Sequence, residues 1–513
     1  MRNSFYITTP IYYPNGEPHL GHVYTTLAAD AIARYHRLVG DDTFFLTGTD
    51  EHGVKMVKTA AEKQLEPSAL ADVNVKIFQD AFRDLHVSND DFIRTTSDRH
   101  KSGVAIIYNQ LLSSGDIYLG AYEGWYDEGQ EQFVTETEAK DRNFLAFNRK
   151  PLVRYAEPTY FFRLKQYGPK VLEYIENNPA FIQPMSRRNE VISKLKQGVE
   201  DLSISRATLK WGIPLPNDPG HVLYVWIDAL SNYITALGYG ADDARFKKFW
   251  PVNVHLIGKE IMWFHTVYWP AMLMALGIPL PKQVFAHGWW TADGRKMSKT
   301  EGNFIDLPRV MDVARTYSED ALRYYLLRAA PFGSDLDWSD SDFNKAFNEL
   351  ANVLGNGLNR TVKMIGRYRG GKLPAASTEL QDIDRQLVEK TGALPEAVRA
   401  AFEKLELQQC AMLPIDLVRT TNGYIDATEP FKLAKDPGQA SRLDTVLNLS
   451  CNAIYRALVC LLPILPDKAH EGLAQLRVDA KGRTMEDLLN NPPAVGATLG
   501  EGQPLFPKVD PPK

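Results

Sequence analysis

Thr8-Thr9-Pro10-Ile11-Tyr12-Tyr13-Pro14-Asn15-Gly16-Glu17-Pro18-His19-Leu20-Gly21-His22 is the stretch that decides how the rest of the chain is read. Before it, Phe5-Tyr6-Ile7 is short, aromatic and β-branched, the composition of a buried strand. After it, Val23, Leu27, Ala31, Tyr35 and Leu38 recur at helical spacing, and Gly40 supplies a helix stop. The stretch is therefore a strand-to-helix crossing. Such a crossing aims free backbone N–H groups, the positive end of a helix dipole and here two imidazoles at one point, which suits an anion and above all a polyphosphate. Gly21 removes a side chain where a ligand would approach closely. A plain turn with two capping histidines uses the same residues. His-x-x-His is also a weak metal pattern, but Leu20-Gly21 and the lack of further nearby ligands count against it.

Working outward, the 513 residues suffice for roughly two to four domains with ample core. The chain is 44% hydrophobic and 24% charged, as a soluble globular protein is. No apolar run is long enough for a transmembrane helix, and the motif starts too early to leave room for a leader peptide in this chain. A net charge of −5 argues against non-specific coating of nucleic acid but permits local basic patches. The three cysteines, Cys410, Cys451 and Cys460, all fall late, which suits a reducing compartment, provides no disulfide framework and excludes a thiolate zinc site in the earlier chain.

Residues 1–116 alternate strand and helix patterns. Phe44-Phe45-Leu46-Thr47 is a second strand, and Asp50-Glu51-His52-Gly53 follows at its carboxyl end, the edge where open α/β sheets bind ligands. In isolation Asp50, Glu51 and His52 read better as a helix-capping cluster; beside a phosphate-binding turn, an acid here is placed to pair with an ammonium group. Residues 117–220 read as an insertion: Tyr118–Tyr126 is aromatic and hairpin-like, and Phe133-Val134-Thr135 returns beside it. The sheet resumes over 221–290 with Val222–Asp228, Val254–Gly258 and Val284–His287. The expected fold is α/β, a doubly wound parallel (Rossmann-like) sheet split by an insertion and followed by an α-helical bundle. Residues 291–340 hold the Lys296-Met297-Ser298-Lys299-Thr300 loop. From Ser341 onward Phe343, Phe347, Leu350, Leu354, Leu358, Val362 and Ile365 mark one long amphipathic helix that Gly370-Gly371 ends. Leu373–Thr378 is linker-like, helices continue within 341–489, and 490–513 is a tail rich in Pro and Gly.

Alone, Lys296–Thr300 is a solvated Lys-Ser loop. Together with the opening stretch, in this order and this far apart, it is similar to the paired HIGH and KMSKS signatures of class I aminoacyl-tRNA synthetases. Within that class the chain resembles the methionyl-tRNA synthetase family along nearly its whole length, in Thr9–Gly16, Gly48–Gly53, Asp201–Arg206, Trp211–Pro214 and Gly258-Lys259-Glu260. The resemblance implies formation of methionyl-adenylate from ATP, carried with Mg²⁺, and transfer of methionine to the 3′ end of initiator and elongator tRNA(Met). It implies catalytic roles for His19, His22, Lys296 and Lys299. ATP is expected on Pro10, Tyr12, His19, Gly21, His22, Lys259, Glu260, Lys296, Ser298 and Lys299. Methionine is expected on Ile11, Tyr13, Asp50, Trp226, Tyr233, Phe264, His265 and Trp269, with Asp50 taking the ammonium group. Aromatic walls suit a thioether that offers no strong hydrogen bond, although each of these aromatics alone reads as ordinary core.

In the helical domain the resemblance implies anticodon contacts from Asn356, Arg360 and Phe431. The first two share a helix face opposite Leu354 and Leu358. The family uses a Trp after the proline that corresponds to Pro430; Phe431 retains a stacking face but no indole N–H. Lys363, Arg367, Arg369 and Lys372 flank the same helix as candidate phosphate contacts. Many relatives carry Cys-rich zinc knuckles in the insertion. Trp125–Phe133 has no cysteine, so no structural zinc is expected. The insertion is also too short for the editing domain of the leucine, isoleucine and valine enzymes. A cytoplasmic monomer is expected. Another class I synthetase, a small adenylyltransferase of the same fold and a catalytically inert RNA-binding homologue are the competing readings; intact His19, His22, Lys296 and Lys299 disfavour the last.

Overall fold

A computed structural model describes residues 3–128, 132–134, 136–292, 294–297, 303–507 and 509. By packing, the chain divides into two units: Ser4–Ala29 with Thr43–His287, and Met1–Asn3 with Asp30–Asp42 and Gly288–Lys513.

Six strands form the sheet of the first unit: β1 (Ser4–Thr8), β2 (Asp42–Thr49), β3 (Asp91–Arg94), β4 (Ile182–Gln183), β5 (Val254–Gly258) and β6 (Val284–His287), in spatial order β3-β2-β1-β5-β6-β4. The registered pairs are parallel, with Ile7 opposite Val254 and Leu46 opposite Asp91. Tyr6 and Ile7 are both fully buried, as a strand covered on both faces requires. From β1 the chain runs through α1 (Leu20–Leu38) to β2 and then β3 on one side, whereas β5 and β6 lie on the other. The strand order therefore reverses between β1 and β5. In doubly wound sheets the crevice beyond the carboxyl ends at such a reversal receives the ligand. Thr9–His22 leaves β1 there, and Lys259-Glu260 leaves β5.

The insertion is narrower than the sequence pattern suggests. Ile117–Asp127 pairs antiparallel with Val153–Phe162, flanked by Gln132–Val134 and Leu202–Ser203. At its tip Val134, Ala139, Ala146 and Leu152 close a small apolar core against Trp125. Residues from the middle of the expected 117–220 span return to the main sheet: β4 pairs with β6, and Val171, Ile175, Phe181 and Val191 share one core with Ile257 and Trp269. Their apolar spacing is helical, and only packing reveals which core they serve.

In the second unit Trp290–Ala292 pairs with Arg295–Lys296 and with Leu336–Trp338. The expected long helix runs from Asp340 to Arg369, but its middle, Leu350–Gly355, is a π-helical turn that wide spacing of apolar residues does not disclose. Gly370 ends it at φ 60°, the left-handed conformation glycine tolerates. Asp382–Glu403, Leu407–Thr428 and Ala440–Leu461 build the bundle. The linker-like segment and the tail tie each other down: Leu373 N–H donates to Ala497 O and Gly496 N–H to Leu373 O, with Leu505 and Phe506 buried.

At Gly48, the last but one residue of β2, any Cβ would overlap the Ile93 carbonyl of the paired strand. Gly48→Ala is expected to cost about 3 kcal/mol or more by overpacking. Denaturant unfolding checks this; an unchanged midpoint would show that β2 and β3 have room to part.

Candidate active site

The two histidines of the opening stretch are held by backbone donors. His19 N–H donates to His22 Nδ1 and Gly21 N–H to His19 Nδ1, both at 3.1 Å, and the rings lie 3.9 Å apart. An Nδ1 that accepts carries no proton, so each neutral ring keeps its proton on Nε2. Burial, and then the neighbouring His19, hold His22 well below the ordinary histidine range. The pair is thus two N–H donors rather than two cations. A Cβ on Gly21 would stand 3.0 Å from His19 Cε1. The sequence reading assigned that space to a ligand; the structure fills it with the His19 ring folded over its own turn.

Tyr12 carries a structural role in this turn. Its side chain is buried, stacked on Phe78, and its hydroxyl donates to Thr26 Oγ1 at 2.8 Å while Thr26 donates to His22 O at 2.8 Å. Tyr12 supports the histidine turn from beneath, and its backbone pairs with Thr49. Pro10 is half-buried, with its carbonyl accepting from Thr9. Lys259, half-buried, and Glu260, exposed, occupy one short turn after β5.

Asp50, Glu51 and His52 are all buried at the end of β2. Asp50 N–H donates to Tyr12 O at 2.8 Å, joining this loop to the opening stretch. The Glu51 carboxylate takes both Arg94 nitrogens (2.7 and 2.9 Å) and the Thr49 and Thr96 hydroxyls, and Trp211 donates to Glu51 O. The sequence pattern singled out Asp50 and Glu51 but not Arg94, which nothing short of the β2–β3 register brings there.

The expected methionine wall assembles on two elements. Trp226, in the first turn of the helix Val225–Thr235, stacks flat on Phe264 with centroids 3.6 Å apart. Phe264 and His265 lie on a second π-helical turn, Phe264–Tyr268. His265 Nδ1 faces Ile261 O at 2.9 Å, and a carbonyl only accepts, so Nε2 is bare and the Tyr233 hydroxyl donates to it at 2.7 Å. By the same logic Trp269 Nε1 donates to His255 Nε2 (3.3 Å), leaving His255 Nδ1–H for Thr8 Oγ1 (2.8 Å). Burial pushes His265 down to about 4 and His255 well below its usual value. Tyr233 is pushed up chiefly by burial, with the Tyr12 hydroxyl and the Asp50 charge adding to it. Ile11 and Tyr13 are half-buried against the same core, and Trp269 is wholly inside it. Thr8 and His255 escaped the sequence reading; the only trace was a histidine inside the apolar strand Val254–Gly258.

In the second unit Lys296 stands opposite Thr291 on a hairpin strand anchored to Leu336–Trp338. Ser298 and Lys299 lie outside the described residues. Asn356 is exposed directly after the π turn Leu350–Gly355, Arg360 is paired with Asp426 at 2.6 Å, and Phe431 is 48% exposed. Arg369 is engaged by Asp444 and by the Tyr368 and Ala440 carbonyls rather than turned outward.

Comparison with known proteins bears on this arrangement. A family model described as tRNA synthetases class I (M) matches residues 5–143 and 144–362. The methionine–tRNA ligase of Caldanaerobacter subterraneus subsp. tengcongensis is 47% identical over 512 residues, covering 99% of this chain and 80% of its own. That of Halalkalibacterium halodurans is 46% identical over 523 residues, covering 99% and 79%. The Mycobacterium tuberculosis methionyl-tRNA synthetase in complex with methionyl-adenylate superimposes with a TM-score of 0.94 at 38% identity, covering 99% of this chain and 100% of that one.

Because His265 binds a proton less readily in the fold than near its ordinary 6.5, the unfolded chain takes up the extra proton as pH falls. This stabilisation is complete above about 6.5 and is lost as pH falls to about 4, at a cost of up to about 3 kcal/mol. Denaturant melts at both ends of that window check it: His265→Gln is expected to narrow the difference.

Proposed function

We propose the following division of labour from the premise that this chain belongs to the methionine-specific class I tRNA synthetases and is a methionine–tRNA ligase. The reaction begins when a methionine carboxylate oxygen attacks the α-phosphorus of ATP. The bond to the bridging oxygen breaks, pyrophosphate leaves, and methionyl-adenylate remains; the acyl group then passes to the ribose at the tRNA 3′ end. Charge grows on phosphate oxygens throughout, so positioned N–H donors and ammonium groups do most of what a protein can do.

His19 and His22 supply that donation. The observation that carries this reading is their shared tautomer: two Nε2–H groups, fixed by backbone N–H donors, at the strand-order reversal. Protonated Nε2 atoms suit phosphate oxygens and cannot ligate a cation, so Mg²⁺ enters as part of ATP with no protein cage assigned to it. Lys296, Ser298 and Lys299 add donors for the leaving pyrophosphate, and Lys259 and Glu260 border the nucleotide with Pro10, Tyr12 and Gly21. Asp50 receives the methionine ammonium, and Ile11, Tyr13, Trp226, Tyr233, Phe264, His265 and Trp269 enclose the thioether. Asn356, Arg360 and Phe431 meet the anticodon of initiator and elongator tRNA(Met). Arg360 must then exchange Asp426 for RNA. We assign the protein to the cytoplasm as a monomer without structural zinc; among the described residues no helix is long and apolar enough to cross a membrane.

Amino-acid-dependent exchange of labelled pyrophosphate into ATP, without tRNA, tests the pocket. Methionine alone is expected to support it among methionine, leucine, isoleucine, valine and cysteine; exchange driven by another of these overturns the assignment. His22→Ala is expected to lower the exchange rate on the order of a hundredfold. Arg360→Ala is expected to depress tRNA charging well beyond any effect on exchange, and equal losses in both assays would remove it from the anticodon surface.

A further inference from the structure

We infer that the buried chain His52–Asp228–His100 is a positioning device that locks the loop carrying Asp50 to the helix carrying Trp226 and Tyr233. The inference rests on the methionine-pocket reading above. His52 Nδ1 lies 2.6 Å from Asp228 Oδ2, and Asp228 Oδ1 lies 2.7 Å from His100 Nε2. His100 Nδ1 continues to Thr235 Oγ1 at 2.8 Å. All four side chains are buried, with Asp228 at 1% exposure.

The protons can be placed. A carboxylate accepts only, so His52 presents Nδ1–H and His100 presents Nε2–H. Asp228 stands in the first turn of its helix and Thr235 in the last, so one imidazole from the helix Asp98–Ser113 ties both ends of it. At Gly103 a Cβ would meet Thr235 Cγ2 at 2.5 Å, which shows how closely the two helices are pressed together. The wall helix is therefore held rigidly, and the second carboxylate oxygen is left to reach across to His52.

On its other side the loop is clamped to the sheet edge through Glu51 and Arg94, and the Tyr13 hydroxyl donates to His52 O at 2.6 Å. Asp50 immediately precedes these clamped residues, and its own N–H is held by Tyr12 O. A buried carboxylate is weak evidence for stability, since apolar residues of similar volume often serve as well. What it adds is direction: two acceptor oxygens set the distance between segments 176 residues apart in sequence. Methionine must satisfy both segments at once, one with its ammonium and one with its thioether. ATP needs neither, so an error in their spacing falls on methionine.

Steady-state pyrophosphate exchange separates this from a merely structural role. His52→Ala is expected to raise KM for methionine about tenfold or more, with KM for ATP within about twofold. His52→Asn, whose amide NH₂ occupies the place of Nδ1–H, is expected to return KM for methionine to within about threefold of the parent. Should His52→Ala melt below the assay temperature, His52→Gln, whose amide reaches the Nε2 position instead, replaces it with the same expected loss. An unchanged KM for methionine, equal rises in both constants, or no rescue by His52→Asn overturns the inference. Trp226→Ala, run alongside, distinguishes the two levels: a raised KM for methionine there with none in His52→Ala rejects only the positioning device, and none in either rejects the pocket reading itself.

Discussion

Everything in the sheet unit follows from the place of β1 between β2 and β5. Parallel pairing on both sides sends three carboxyl ends to one edge. The chain winds outward from β1 in one direction and resumes on the opposite side at β5, and in doubly wound sheets the crevice lies at such a reversal. Thr9–His22, Asp50–Gly53 and Lys259-Glu260 are the segments that leave those three ends. They converge because hydrogen-bonded strands cannot diverge. The Tyr12–Thr49 bridge and the Asp50 N–H to Tyr12 O bond carry the pairing past the strands proper into the loops that hold the chemistry.

Within that frame the histidines act as neutral, oriented donors. Four of them, His19, His22, His255 and His265, have their tautomers set by a neighbour that can play only one role: a backbone N–H, a backbone carbonyl or an indole N–H. Burial disfavours the charged form in three of these, His22, His255 and His265. Dipoles already fixed in place need little reorganisation when charge develops beside them, which is their electrostatic advantage over water. Asp228 is the contrasting case. Burial alone would raise its carboxyl, but the two imidazoles outweigh that and leave it below the ordinary carboxylate range.

The legible parts of this site were those written in contiguous residues. The Thr8–His22 crossing and the acid cluster after the second strand each have a local signature of period, turn residue or strand end. The segment around Trp226 does not: Val222–Asp228 reads as a strand of the main sheet, whereas Val225–Thr235 is a helix and Asp218–Leu223 pairs antiparallel in a separate three-stranded sheet. Arg94, His100, Asp228 and His255 have no such signature. A histidine in a helix and an aspartate among apolar neighbours each look like surface or capping residues until a partner distant in sequence arrives. The two π-helical turns, Phe264–Tyr268 and Leu350–Gly355, were equally hidden. A π turn accommodates one extra residue without breaking the spacing of apolar positions at three and four, so a helical pattern runs through it unchanged. Each such turn bears on residues assigned to ligand contact: Phe264 and His265 in one case, Asn356 directly after the other.

The sequence by itself determined the class of fold, because alternating periodicities and glycine stops are local and survive without coordinates, and its resemblance to a known family determined the reaction. Tertiary structure decided what those residues are chemically. It made the imidazoles of the opening turn into Nε2 donors, tied the Tyr12 side chain to Thr26 and Phe78, returned part of the insertion to the main sheet and joined His52 to Asp228. The physical reason is that tautomer, burial and charge depend on which groups stand within about 3 Å. For these residues those groups come from other strands and helices, brought near only when the sheet has closed its register.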